Sequence, residues 1–166
     1  MILGMSTETY TFLHVLISLV GIGSGFVVLY GLLTGKRLNG WTAIYLASTV
    51  ATSVTGFGFP FERLLPSHKV GIISLMVLAV AIFARYARQL AGAWRRTYVV
   101  CAAVALYLNV FVAVVQAFEK VPALKAMAPT QKEPPFLVAQ LVVLVVFVGL
   151  TILAAKKFRT APVRAT

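Results

Sequence analysis

The sequence predicts an all-α integral membrane protein: one bundle of five transmembrane helices, N-terminus outside and C-terminus inside. Three observations predict it. Of the 166 residues, 60% are hydrophobic and only 11% are charged, with a mean hydropathy of +0.94. Five apolar windows free of charge alternate with short charged segments. All four acids fall in segments that alternate with the main basic runs. A soluble domain of this length needs far more polar surface. Lipid, by contrast, solvates the apolar outside of a polytopic bundle. The chain reads as a single transmembrane domain over residues 1–166.

The charge-free windows run Thr9–Gly35, Leu38–Phe61, Val70–Ala84, Thr97–Phe118 and Pro134–Ala155. They place helices at about 10–34, 41–60, 67–86, 97–118 and 135–155. Crossing the hydrocarbon takes roughly 20 residues, which four windows supply. The third is shorter. If it failed to cross, the cluster Arg85, Arg88, Arg95 and Arg96 would join the side that carries every acid. It is therefore read as a span whose Lys69 and Arg85 snorkel to the head groups.

The segments assigned inside then hold ten Lys/Arg and no acid, and those outside hold five Lys/Arg and Glu8, Glu62, Glu119 and Glu133. This positive-inside pattern assigns the chain to a bacterial inner membrane as a multi-pass protein. Trp41 and Trp94 fall at the inner interface, and Phe57, Phe59, Phe61, Phe118 and Phe136 near the outer one. Gly35 and Gly40 bracket the first inner loop, and Pro60 and Pro66 the first outer loop. Ser67 is a candidate N-cap for the third helix. Pro134-Pro135 opens the fifth, where missing N–H groups cost nothing. Between Glu119 and Glu133, the piece Pro122–Pro129 reads as a short interfacial helix. Glu8 precedes the first basic residue, so no cleavable signal is expected and the first helix is read as retained.

A formal net charge of +11 suggests nucleic acid at first sight. The basic residues, however, sit in short loops beside apolar spans, where they orient the protein and meet anionic lipid. No nucleic-acid motif accompanies them. The single cysteine, Cys101, excludes an internal disulfide and reads as a small apolar residue. Zinc hydrolysis wants three ligands, and only two histidines exist. A Ser-His-Asp set is impossible without aspartate. No intramembrane lysine or carboxylate is present for a Schiff base or a carboxylate proton relay, and no phosphate-binding glycine loop appears.

Small and polar residues recur at helical spacing: His14, Ser18, Gly21 and Gly25; Ser48, Thr52, Thr55 and Gly56; His68, Gly71 and Ser74; Ala102, Ala105, Asn109, Ala113 and Gln116. Packing accounts for the small ones, because membrane helices associate through small residues and hydrogen bonds. The long polar ones are functional candidates by default. His14, His68, Gln116 and Gln140 all fall in the outer third of the bundle, with Asn109 near mid-membrane. A purely structural hydrogen-bond layer is the bland alternative, and His68, at a corner near head groups, needs no special partner.

The stretches Ser53–Pro60, Ala105–Val112 and Ala128–Pro135 resemble a group of small, uncharacterised multi-spanning bacterial inner-membrane proteins. That resemblance implies location and no activity. A histidine on the first helix followed by one on the third is also similar to small membrane b-type cytochromes, although their additional helix histidines are missing.

The leading functional expectation is a non-enzymatic membrane protein with a polar small-ligand pocket near the periplasmic face. His14 and His68 would be ligands or proton acceptors, and Asn109, Gln116 and Gln140 orienting partners. The second is a redox protein in which His14 and His68 ligate one haem b. The third is a structural or accessory subunit docking on another membrane protein through its helix stripes.

Overall fold

The computed structural model describes residue 2, residues 4–60 and residues 66–158. Expectations for Phe61, Glu62, Arg63, Arg159 and Arg164, and for the Ser67 side chain, lie outside the described residues. Among those described the chain is all-helical: α1 (Thr7–Thr34), α2 (Asn39–Gly56), α3 (Pro66–Ile82) continuing through a π turn (Phe83–Ala87), α4 (Trp94–Lys120), α5 (Pro122–Met127) and α6 (Pro134–Lys157). Four helices are long and apolar enough to cross a membrane: α1, α3 with its π turn, α4 and α6.

The boundaries shift for local reasons. Helix α1 starts earlier than the apolar window because the Ser6 hydroxyl accepts from the Thr9 amide at 3.1 Å, and Glu8 sits in the favourable first turn. Helix α2 stops at Gly56 rather than near residue 60. The Tyr10 hydroxyl donates to the Thr55 carbonyl at 2.7 Å, supplying a partner for an end-of-helix oxygen. Any Cβ at Gly58 would collide with that same hydroxyl. The piece around Pro122 does form a short helix with proline in its first turn.

Successive long helices alternate in direction, so that α1 and α6 run parallel. Helix α1 packs on α2, α2 on α3, α3 on α4, α4 on α6 and α6 back on α1, while α1 also touches α4. One end of the bundle gathers the start of α1, the end of α2, the start of α3, the end of α4, α5 and the start of α6. We term this the N-terminal end. The other, the basic end, gathers Lys36, Arg37, the Arg85–Arg96 cluster and Lys156-Lys157.

The polarity is inside-out relative to a soluble protein. Phe12, Leu19 and Val145 are 67%, 59% and 62% exposed, while Ser24, Thr42, Thr49, Ser53 and Ser74 are buried. Lipid makes such a surface favourable, because it solvates apolar side chains and leaves backbone and hydroxyls to pair internally. Ser24, Thr42, Ser48, Ser53, Thr55 and Thr151 each donate to the carbonyl four residues back. Helix α2, rich in Ser and Thr, follows the same logic. Trp41, Ile44, Ala47 and Val54 face outward, and Thr42, Thr49 and Ser53 face its neighbours.

The close-packed core lies in the basic half. Val28, Leu29 and Leu32 of α1, Tyr45 and Leu46 of α2, Leu78 and Ala81 of α3, Tyr98, Val99, Ala102 and Leu106 of α4 and Phe147 and Ala154 of α6 form one cluster. Toward the N-terminal end this closure is lost on three helices. No residue from Thr11 to Val20, from Tyr107 to Ala117 or from Leu137 to Val146 is buried. Over three turns α4 is half-covered on every side, with no fully buried residue.

Gly25 lets α1 approach this core: a Cβ there would sit 2.5 Å from Leu106 Cδ1 and 2.9 Å from Tyr45 Cε2. Gly25→Val should therefore destabilise the bundle by about 1–3 kcal/mol through overpacking. Gly23→Ala, whose added carbon meets nothing within 4 Å, should leave stability unchanged. Thermal unfolding in detergent distinguishes the two.

Candidate functional site

His14 lies on the half-buried face of α1, against the end of α2. Its Nδ1 is 2.7 Å from Thr55 Oγ1, and its ring meets the edge of Phe59 at 5.2 Å between centroids. The Thr55 hydroxyl donates its single hydrogen to the Ala51 carbonyl at 2.7 Å. With that hydrogen on Ala51, the tautomer compatible with the contact has Nδ1–H donating to Thr55 Oγ1 and Nε2 as the proton-accepting nitrogen. Helical spacing continues this polar seam toward mid-bundle through Ser18 on α1 and Thr52 and Ser48 on α2. Thr52 Oγ1 is buried without a hydrogen-bond partner.

Asn109 enters from α4, donating through Nδ2 to Thr49 Oγ1 at 3.4 Å. Gly21 makes the room, since a Cβ there would sit 3.5 Å from that amide nitrogen. Gln140 of α6 donates to the Phe111 carbonyl of α4 at 3.2 Å, and its Oε1 is enclosed without a partner. His14, Asn109 and Gln140 thus occupy the half in which α1, α4 and α6 carry no fully buried residue.

The other two sequence-chosen residues stand apart from this group. Gln116 turns to Glu119 of its own helix at 3.4 Å. His68 is only 4% exposed and stacks on Phe57, ring centroids 5.5 Å apart. Phe57 also packs against Gly71, on the α3 side of α2.

That placement bears on haem. His14 meets Thr55 and Gly56, while His68 meets Phe57, a different face of the same helix end. The residues present do not fit one haem between these histidines. Among the described residues no group of three or more His, Cys, Asp or Glu is placed to hold a metal ion.

Above the seam, the connection from α4 to α6 is fastened down. Phe118, Ala128 and Phe136 form a second small core with Val115 and Leu124. Gln131, in a left-handed conformation at φ 58°, donates to the Val115 carbonyl at 3.1 Å. Glu133 accepts from the Thr130 hydroxyl at 2.8 Å, the Thr130 amide at 3.2 Å and the Lys132 amide at 3.0 Å.

Sequence reasoning misses Tyr10 and Thr49, and it reads Gln131, with Thr130 and Glu133, only as an outward polar group of a loop that could cap the layer below. The signal for Thr49 was present: Thr42, Thr49 and Ser53 share one helical face, offset from the Ser48-Thr52-Thr55 stripe. Tyr10 and Gln131 bond backbone carbonyls on other helices, which no local pattern announces.

No family model, no curated protein and no solved structure matches this chain.

Desolvation, the largest single influence on the Glu133 carboxyl, raises it, but the Thr130 hydroxyl and the amides of Glu133, Lys132 and Thr130 together outweigh it and hold the carboxyl below the usual carboxylate range. A folded value below the unfolded one means the clamp is fully formed above the unfolded pKa, about 4.3 for Glu. It is lost as pH falls through the lower folded value. Hydrogen-exchange protection of the Thr130 and Lys132 amides should therefore persist down to about pH 4.3 and fade only below it. Glu133→Gln should weaken that protection at neutral pH.

Proposed function

We propose that the chain is a five-span protein of a bacterial inner membrane, N-terminus outside and C-terminus inside, whose outer half forms a vestibule for a small polar ligand. The observation that carries the reading is unspent polarity in the half where α1, α4 and α6 carry no fully buried residue. The three stretches without a buried residue, on α1, α4 and α6, contain His14, Asn109 and Gln140. Two enclosed oxygens without partners, Thr52 Oγ1 and Gln140 Oε1, belong to the same half. Hydrogen-bonding groups set among apolar side chains are what a small-molecule site requires.

In this reading His14 Nε2 accepts a hydrogen bond or proton from the ligand, Asn109 and Gln140 orient it, and His68 backs the wall through Phe57. Gln116 stands at the mouth beside Glu119. The role is binding rather than catalysis, as the chain's lack of aspartate and of intramembrane carboxylates implies. The fifth span is α2, supported by its apolar outward strip and polar inward face. The orientation is supported by the ten Lys/Arg and no acids of the inside segments.

Reporter fusions after Gly40 and Lys157 should read cytoplasmic, and one after Met127 periplasmic; a periplasmic signal at Lys157 would defeat five spans. In a Cys101→Ala background, Asn109→Cys should react with a membrane-impermeant thiol reagent added from the periplasmic side, and Val28→Cys should not. Labelling of Asn109→Cys should be slower in native membranes than after purification, and His14→Ala should remove that protection. An unreactive Asn109→Cys combined with stable co-purification in a larger complex would point to an accessory subunit.

A further inference from the structure

A second polar centre lies at the opposite end of the bundle, where α3 gives way to α4. Helix α3 ends in a π turn, Phe83–Ala87, with the Arg88 amide bonded to the Phe83 carbonyl at 3.0 Å. The wider turn rotates Arg85 out of α-helical register, and such turns recur at functional sites. Its guanidinium lies 5.3 Å from the centre of the Tyr98 ring and 5.7 Å from that of Tyr86. One N–H reaches the side-chain oxygen of Asn39 on α2.

Arg95 sits one turn before Tyr98 on the same face of α4. Its Nη1 is enclosed and has no acceptor. The Tyr98 hydroxyl is enclosed as well, in a side chain with no exposed surface. It lies beside Arg85 and Thr42 yet meets hydrogen-bond geometry with neither. A buried guanidinium donor without an acceptor is costly unless something supplies one. The protein does not: among the described residues the acids are Glu8, Glu119 and Glu133, all at the N-terminal end.

We propose that this corner binds a phosphate group, with Arg85 and Arg95 donating to its oxygens and the Tyr98 hydroxyl completing the set. The chemistry fits an anion with several acceptor oxygens: guanidinium forks match phosphate, and a phenol adds a donor. The position fits too. The corner is at the ends of α3 and α4, where head groups lie whichever way the bundle is inserted. The source of the phosphate is an anionic phospholipid or a free phosphate ion. The site is independent of the vestibule and of the direction of insertion.

The test uses the full chain, delipidated in neutral detergent, with the thermal unfolding midpoint and Trp94 fluorescence as readouts. Phosphatidylglycerol should raise the midpoint, and phosphatidylcholine should not. Arg95→Gln should raise the lipid-free midpoint or leave it no lower than the wild type's, because it removes a buried charge that has no acceptor, and should abolish the shift. Arg85→Lys, which keeps the charge but loses the fork, should weaken lipid binding about tenfold. Lys156→Gln combined with Lys157→Gln removes two exposed charges from the same end and should leave the shift intact. Inorganic phosphate that reproduces the shift and displaces the lipid assigns the site to free phosphate; failure to do either assigns it to the lipid head group. An equal shift in Arg95→Gln, its loss in the double lysine variant, or no shift with any probe overturns the proposal.

Discussion

The bundle depends on one intrusion: Tyr45 of α2 threading between α1 and α4. It is 1% exposed, its ring lies against the bare backbone of Gly25, and its hydroxyl donates to the Ala102 carbonyl at 2.7 Å. In lipid there is no hydrophobic force to bring helices together, since a lipid tail is as apolar as leucine. Close fit and hydrogen bonds must do it. Tyr45 supplies both, and the small residues Gly25, Ala102 and Ala105 let three helices reach it.

The two halves of the molecule follow from that placement. Around Tyr45 the helices are drawn to contact, and Leu78, Tyr98, Val99 and Leu106 close the core. Farther toward the N-terminal end, α2 and α3 remain joined, through the Ser53–Ser74 hydroxyl pair at 3.2 Å and the Phe57–His68 stack. Helices α1, α4 and α6 meet there through Asn109 and Gln140 and bury no residue fully between Thr11 and Val20, Tyr107 and Ala117, or Leu137 and Val146. The fastened α4–α6 connection ties those two helices at that end. A closely packed base below a less fully buried, polar half is a general way to combine a stable scaffold with an accessible interior.

Hydroxyl chemistry decides the rest. Most serines and threonines spend their hydrogen on the carbonyl four residues back, which makes them compatible with lipid and leaves their lone pairs outward. Thr55 shows the consequence: its hydrogen goes to Ala51, its lone pair takes His14 Nδ1–H, and the basic nitrogen of the imidazole becomes Nε2.

The sequence by itself determined where helices begin and end within a few residues, and that four of them are long and apolar enough to cross a membrane. Charge cannot enter hydrocarbon cheaply, so the charged residues mark the ends; the Pro122 and Pro134-Pro135 starts were legible for the same local reason. It also identified which helices carry polar side chains. What it could not contain was their pairing. A stripe fixes a direction about one helix axis, while the partner depends on the rotation and crossing of a second helix. Hence Thr49 rather than Thr52 receives Asn109, Gln116 folds back on its own helix, and His68 faces Phe57 rather than His14. The early stop of α2 and the inward turn of Arg85 likewise rest on contacts from other helices. Only the tertiary structure decided them, because each is set by a neighbour distant in the chain.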